Sequence, residues 1–268
     1  MLRGKVYLVE SGTHASAGVV VCAGYLFDRQ RDWHLARDWS EVLAIYGLSN
    51  AREADCCSGN GQYAGLSIAD RDACSRALME LTHRRTLVGF STAMEVAAFA
   101  GIAADFENPP DARTLVALAN IALLGGIMED DGISATLDYY FNAAGAMSTL
   151  RLLSRMSVYR NLTFRKHHGM ASVGFRHKRA SPPMQAADML AYHHYHYETR
   201  RAETDARRAD FDALVRPQDC VMRLAPAAVR TMLGLWQTAL RDERLPSITL
   251  APPSARAPTP PFSSAVGL

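Results

Sequence analysis

Two β-rich runs at the start of the chain constrain the fold more than anything after them. Lys5 to Val9 alternates little between apolar and polar residues, as a strand buried on both faces does. Gly12, Thr13 and His14 form the turn that follows, and Ala17 to Phe27, AGVVVCAGYLF, reads as a second strand paired back on the first. Strands of this kind belong inside a sheet with helices on its faces.

The remaining segments supply such helices. Asp28 is placed to cap a helix over Arg31 to Tyr46, where Trp33, Ala36, Trp39, Leu43 and Tyr46 recur at helical spacing until Gly47 ends it. Residues 48 to 66 are polar and glycine-bearing and read as a loop. Ser67 with Asp70 three residues later starts a helix to about His83. A strand begins near Thr86 in LVGFSTAMEV, and Asn108-Pro109-Pro110-Asp111 breaks the chain before an apolar helix over Ala112 to Ile127. Glu129 to Gly132 turns into a short strand, Ile133 to Tyr139, and Asn142 to Met156 reads as helical. Met170 to Arg176 reads as a strand, Ser181 with two prolines opens a helix through at least Tyr197, and a last helix covers about Ala225 to Arg241. The expected fold is α/β: a mixed β-sheet flanked by helices, one domain over residues 1–246 with a helical C-terminal extension. Residues 247–268, rich in proline, serine and alanine, are expected to form a disordered tail.

Composition narrows the function classes. Hydrophobic residues at 49% and charged residues at 21% are ordinary globular values, and the apolar runs read as too short for a membrane span. The opening MLRGKVYLVESG has too short an apolar stretch for a signal-peptide core, which gives the expectation of a cytoplasmic protein without membrane partners. The five cysteines contain no C-x-x-C pair, so neither a disulfide framework nor a zinc site is signalled. Lys5, Lys166 and Lys178 are the only lysines among 29 basic residues. Arginine suits bidentate phosphate contacts, so nucleic acid is a permitted partner. The densest basic run, Arg200 to Arg208, is interleaved with acids and reads as a solvated helix face.

Three carboxylates stand where hydrophobes would be ordinary: Glu10 ending VYLVESG, Asp138 in ATLDYYF and Asp188 in QAADMLAY. An acid in an apolar segment is costly unless it is paired or holds a metal. Strand ends and a packed helix can bring such acids together, and clustered carboxylates bind hard divalent ions such as Mg²⁺ or Mn²⁺. Two such ions can clamp the attacking and leaving oxygens of a phosphodiester. Gln185, Asp188, Tyr192 and Tyr195 recur at spacings of three and four and would share a helix face. Gly59, Gly61 and Ala64 fit a dinucleotide-binding spacing, but no strand precedes them. HHYHY lacks the spacing of a zinc hydrolase helix, so His193, His194 and His196 read as polar helix surface.

VYLVESG with the AGYLF strand and the DW helix, the loop DCCSGNGQYAGLS, the strand LDYYF and the helix PMQAADMLAYHHY together resemble the bacterial domain-of-unknown-function family 3800. The resemblance covers about residues 5 to 197, with QAADMLAY its most specific piece. It implies a ribonuclease H-like layout, with acids on the first strand, a later strand and a C-terminal helix. It also implies a Mg²⁺-dependent nuclease or phosphodiesterase site. Glu10, Asp138 and Asp188 would be the catalytic and metal-binding residues, and Ser11, Asp55, Gln185 and Tyr192 would face the substrate. The chain departs from the family at its first motif, where DESG is VESG and Val9 replaces the aspartate, and Arg52 stands near the expected loop histidine. Neighbouring strand residues point to opposite faces, so Glu10 replaces a side chain at position 9 only if the strand end bulges. The competing expectation is a catalytically silent module of the same fold that binds nucleic acid or a protein.

Overall fold

A computed structural model describes residues 1–143, 162–200 and 209–242. Six strands form one mixed sheet in the order β5-β4-β1-β2-β3-β6. β1 (Leu2–Ser11), β2 (Val19–Asp28) and β3 (Val88–Glu95) make an antiparallel meander. β4 (Ala135–Asn142) adds parallel to β1, and β5 (Met170–Arg176) adds parallel to β4. A meander extended by two parallel strands on the β1 side is the ribonuclease H-like arrangement, and the mixed sheet with helices on both faces is the fold expected from the sequence. β6 (Cys220–Arg223), which the sequence did not signal, lies parallel to β3 at the opposite edge.

Local chemistry sets the helix starts. Asp28 accepts from the Arg31 amide to open α1 (Arg29–Ile45), and a short α2 (Glu53–Ser58) lies in the segment expected to be loop. Ser67 accepts from the Asp70 amide at the start of α3 (Ile68–Arg85). α4 (Val96–Ala103) follows β3 directly, and Asp111 caps α5 (Ala112–Asp130) through the Thr114 amide. α6 (Leu162–His167) precedes β5, and α7 (Pro182–Arg200) runs three residues past the expected Tyr197. α8 (Ala209–Leu214) was not anticipated, and α9 (Pro226–Asp242) was. The helix expected over Asn142 to Met156 lies, apart from its first two residues, outside the described residues, as do the proline-rich tail and Arg201 to Arg208.

Side-chain parity divides the core into two layers. Val6, Leu8, Cys22 and Tyr139 pack with α4, α5 and α9 on one face of the sheet. Tyr7, Val9, Ala23 and Tyr25 pack with α1, α3, α7 and α8 on the other. α5 corrects one expectation: by length and composition it is apolar enough to cross a membrane. Every residue from Thr114 to Met128 is buried, as in a helix enclosed by its own domain.

β4 ends later than expected, and this matters most for the site. The sequence reading stopped it at Tyr139, which would put Asp138 at the strand's end, but the strand continues to Asn142. Phe141 and Asn142 go on pairing with Phe175 and Arg176 of β5, and the aromatic run keeps the ladder extended.

Candidate functional site

The C-terminal ends of β1 and β4, with α7 packed on β1 and β2 beside them, are the place to look for the acids expected from the resemblance. Leu8 pairs with Phe141 as the last pair of that parallel ladder, so Val9 and Asn142 come next on the two strands. Both lie on the α7 side of the sheet, since Tyr7, Val9 and Tyr140 belong to that layer. Val9 is fully buried among apolar neighbours.

Asp138 does not reach this point. It pairs with Lys5, five residues before Glu10 on β1, a separation of about 16 Å at the rise of a strand. Its carboxylate accepts from the Ser172 hydroxyl on β5. Asp138 and Glu10 are therefore not brought together, and the reason is the longer strand.

Glu10 follows the parity rule rather than a bulge, because the β1 ladder to β2 runs without a break through Glu10 with Cys22 and Ser11 with Val21. It faces the α5 side. Burial pushes its carboxyl up to about 6, Asp111 adds to the rise, and Arg113 and Lys178 oppose it. Beyond it, an open cleft of about 350 Å³ lies between the turn residues Gly12 to Ala15 and the α5 start at Asp111 to Arg113. Gly12 has φ +70°, and a Cβ there would meet the Val19 carbonyl at 2.2 Å and the Tyr195 ring at 2.7 Å, so the turn requires glycine. The Tyr195 hydroxyl lies 3.1 Å from His14 Nε2, which ties this turn to α7.

Asp188 is on α7, and a cation already meets it. Lys178, in the turn after β5, donates from Nζ to Asp188 Oδ1 at 2.6 Å. The lysine is held at both ends, because its carbonyl accepts from Gln185 Nε2 at 3.0 Å. Gln185 is wholly committed to the fold. Its Oε1 accepts from Trp39 Nε1 and the Ala51 amide, each at 2.8 Å, and its Nε2 also donates to the Arg179 carbonyl at 3.2 Å. That exhausts a side-chain amide, so Gln185 positions the β5–α7 turn and has nothing left for a substrate.

The other expected substrate residues are dispersed. Ser11 ends β1 beside Glu10. Asp55 pairs with Arg52 of its own helical turn at 3.1 Å. The Tyr192 ring lies against His193 and His196.

Hard divalent ions require several oxygen ligands, most of them charged. At the strand ends Val9 offers none and Asn142 an uncharged amide, Glu10 faces the α5 side, and Asp188 of α7 is already paired with Lys178. These residues do not fit a Mg²⁺ centre as they stand. Among the described residues no group of three or more His, Cys, Asp or Glu is arranged to hold a metal ion.

A second polar cluster escaped the sequence reading. His193 and His194 are not helix surface but buried, at 1% and 0% exposure. His193 Nε2 lies 3.0 Å from Glu53 Oε1 of α2, and its Nδ1 lies 3.4 Å from Asp210 Oδ2 of α8. Ser75 of α3 also donates to Glu53, at 3.2 Å. Burial alone would lower the pKa of His193, but Asp210 and Glu53 outweigh it and raise it to about 9. His194 Nδ1 meets the Ser91 hydroxyl at 2.6 Å, and its ring stacks on Phe211. The signal was present in the spacing: Ala186, Leu190, His193 and Tyr197 form one helical stripe, and its first two members are plain core.

No family model matches the chain, and no curated protein matches it. The resemblance to family 3800 therefore rests on the quoted motifs. Among solved structures, ribonuclease HII of Archaeoglobus fulgidus, in its complex with PCNA, is similar at a TM-score of 0.37 and 12% identity, over 92% of this chain and 93% of that one. The strand order and its pairing define this chain as an α/β protein of ribonuclease H-like layout.

Proposed function

We propose that this chain is a ribonuclease H-like module that binds nucleic acid without a divalent metal ion, a silent relative of family 3800. The observation that carries the reading is the Lys178–Asp188 pair, whose ammonium lies near enough to act on Glu10, the neighbour of Val9. On the α7 side of the strand ends one acid is replaced by a buried valine and Asn142 is uncharged, Asp188 of α7 is closed by an ammonium group, and Glu10 points to the opposite face. A lysine in that place supplies one positive charge permanently, with no ion to bind or lose. Just outside it Arg176, the last residue of β5, and His177 and Arg179 on either side of Lys178 are exposed, which gives the same end of the sheet a basic rim suited to phosphate.

The test is binding of labelled oligonucleotides to the full chain with excess EDTA or with Mg²⁺, together with a nuclease assay. The reading expects affinity that falls steeply with salt, is the same in EDTA and in Mg²⁺, and is accompanied by no cleavage. Mg²⁺-dependent cleavage that disappears in Asp188→Asn would replace it with the nuclease reading, and Glu10 would then be the next residue to substitute.

A further inference from the structure

On the α7 side of the sheet, beyond the cover of α7 itself, β4 and β5 carry a layered stack. The Tyr140 ring lies against β5 at Gly174, where a Cβ would come within 3.1 Å of it, so a residue with no side chain lets the ring settle on the neighbouring strand. Tyr7 of β1 stacks on Tyr140 with ring centroids 5.1 Å apart and planes 19° apart. Tyr7 is itself fixed, because its hydroxyl donates to Asp32 at 2.8 Å and Lys5 holds the same carboxylate at 2.6 Å. The guanidinium of Arg176, an exposed residue, lies over the Tyr140 ring at 5.1 Å.

The arginines beside this stack are unlike several that serve the fold. Arg37, Arg85, Arg216 and Arg223 are each held by a carboxylate. Among the described residues neither Arg176 nor Arg179 has one, and both are exposed, Arg176 as the last residue of β5 and Arg179 just after Lys178. A preorganised aromatic ring with a guanidinium lying over it, next to uncommitted arginines, combines a surface for bases with donors for phosphates.

We infer that the Tyr140–Arg176 stack is a binding platform for single-stranded nucleic acid: an unpaired base stacks on it, and the phosphates on either side meet Arg179 and His177. This rests on the nucleic-acid-binding reading above and sharpens it. The exposed guanidinium over the ring can be reached by an unpaired base, whereas the bases of a duplex are stacked on one another and present only their edges.

The experiment is fluorescence anisotropy on the full chain in EDTA at about 100 mM salt. The probes are a fluorescein-labelled, mixed-sequence single strand of about twenty nucleotides and a hairpin duplex of the same composition. The native chain should bind the single strand about ten-fold more tightly than the duplex. Tyr140→Leu should weaken single-strand binding about ten-fold and leave duplex binding unchanged, and Tyr140→Phe should keep native affinity. Arg176→Lys, which keeps the charge but cannot lie flat on the ring, should cost about three-fold for the single strand alone, and it serves as the test if Tyr140→Leu does not fold. Equal binding of both probes, unaffected by these substitutions in folded protein, would overturn the platform and leave the binding module standing. If neither probe binds, the module reading falls and the platform with it.

Discussion

Two clusters on α7 handle carboxylates in opposite ways. In its first half, Asp188 meets Lys178, and the two side chains keep 16% and 32% exposure. Little more than a turn on, His193 is enclosed between Glu53 and Asp210 at 2% side-chain exposure, with Glu53 at 5%. The first pair is screened by water, and its worth lies in where it puts a positive charge. The second is desolvated, and its worth lies in tying α2, α7 and α8 together. The costly charges of this protein are thus structural, and the pair that the binding proposal uses is nearly free.

The largest effect that would sharpen this contrast is at the enclosed cluster. His193→Ala leaves Glu53 buried without its partner, and breaking a buried pair from one side costs about 3–5 kcal/mol. Urea unfolding followed by circular dichroism should show that loss. A cost under about 1 kcal/mol would mean that the cluster is no more buried in solution than the Lys178 pair.

The same cluster should make stability depend on pH. The folded pKa of His193 is raised to about 9, above its ordinary 6.5. Its contribution is then fully present below pH 6.5 and is lost as pH rises through 9, about 3 kcal/mol in all. Melting temperatures across that range should fall in the native chain and stay flatter in His193→Gln. A native profile as flat as that of the variant would remove the charged-imidazole account.

Gln185 comes next, since Gln185→Ala strands the Trp39 indole and the Ala51 amide along with two turn carbonyls. Unpartnered buried groups cost about 1–3 kcal/mol each, and with partial relaxation a loss of about 2–3 kcal/mol is expected in the same unfolding experiment. The smallest effect belongs to Lys178→Ala. A half-exposed pair is worth about 0.5–1 kcal/mol, so stability should barely move while oligonucleotide affinity drops.

How much of this was legible in the sequence follows from the same contrast. The sheet and most helices were readable because caps such as Asp28, Ser67 and Asp111 stand directly before periodic apolar runs. The hairpin was readable because AGVVVCAGYLF has one reading as a buried strand. β6 was not, since four residues carry no period. The site was legible only in part. Asp188 stood out as an acid in an apolar helix, but its partner Lys178 lies in a turn, where a lysine attracts no notice. Asp138 stood out for the same reason as Asp188, yet a strand three residues longer than expected moved it away from the strand end. Glu53 and His193 went unnoticed because they are 140 residues apart, and only the packing of α2 against α7 brings them together. Sequence context shows that an acid is unusual, and the fold decides whether its partner is a metal, a lysine or a histidine.

If Lys178 stands in for a cation at the end of β1, the native chain has no use for a divalent ion. Calorimetric titration of Mg²⁺ into the native chain, with Mn²⁺ in parallel, tests it most directly. The account predicts no saturable heat in the native protein, and a weak site appearing only when Val9→Asp and Asn142→Asp restore carboxylates and Lys178→Ala removes the ammonium. Saturable, stoichiometric Mg²⁺ binding by the native chain, lost in Asp188→Asn, would contradict it.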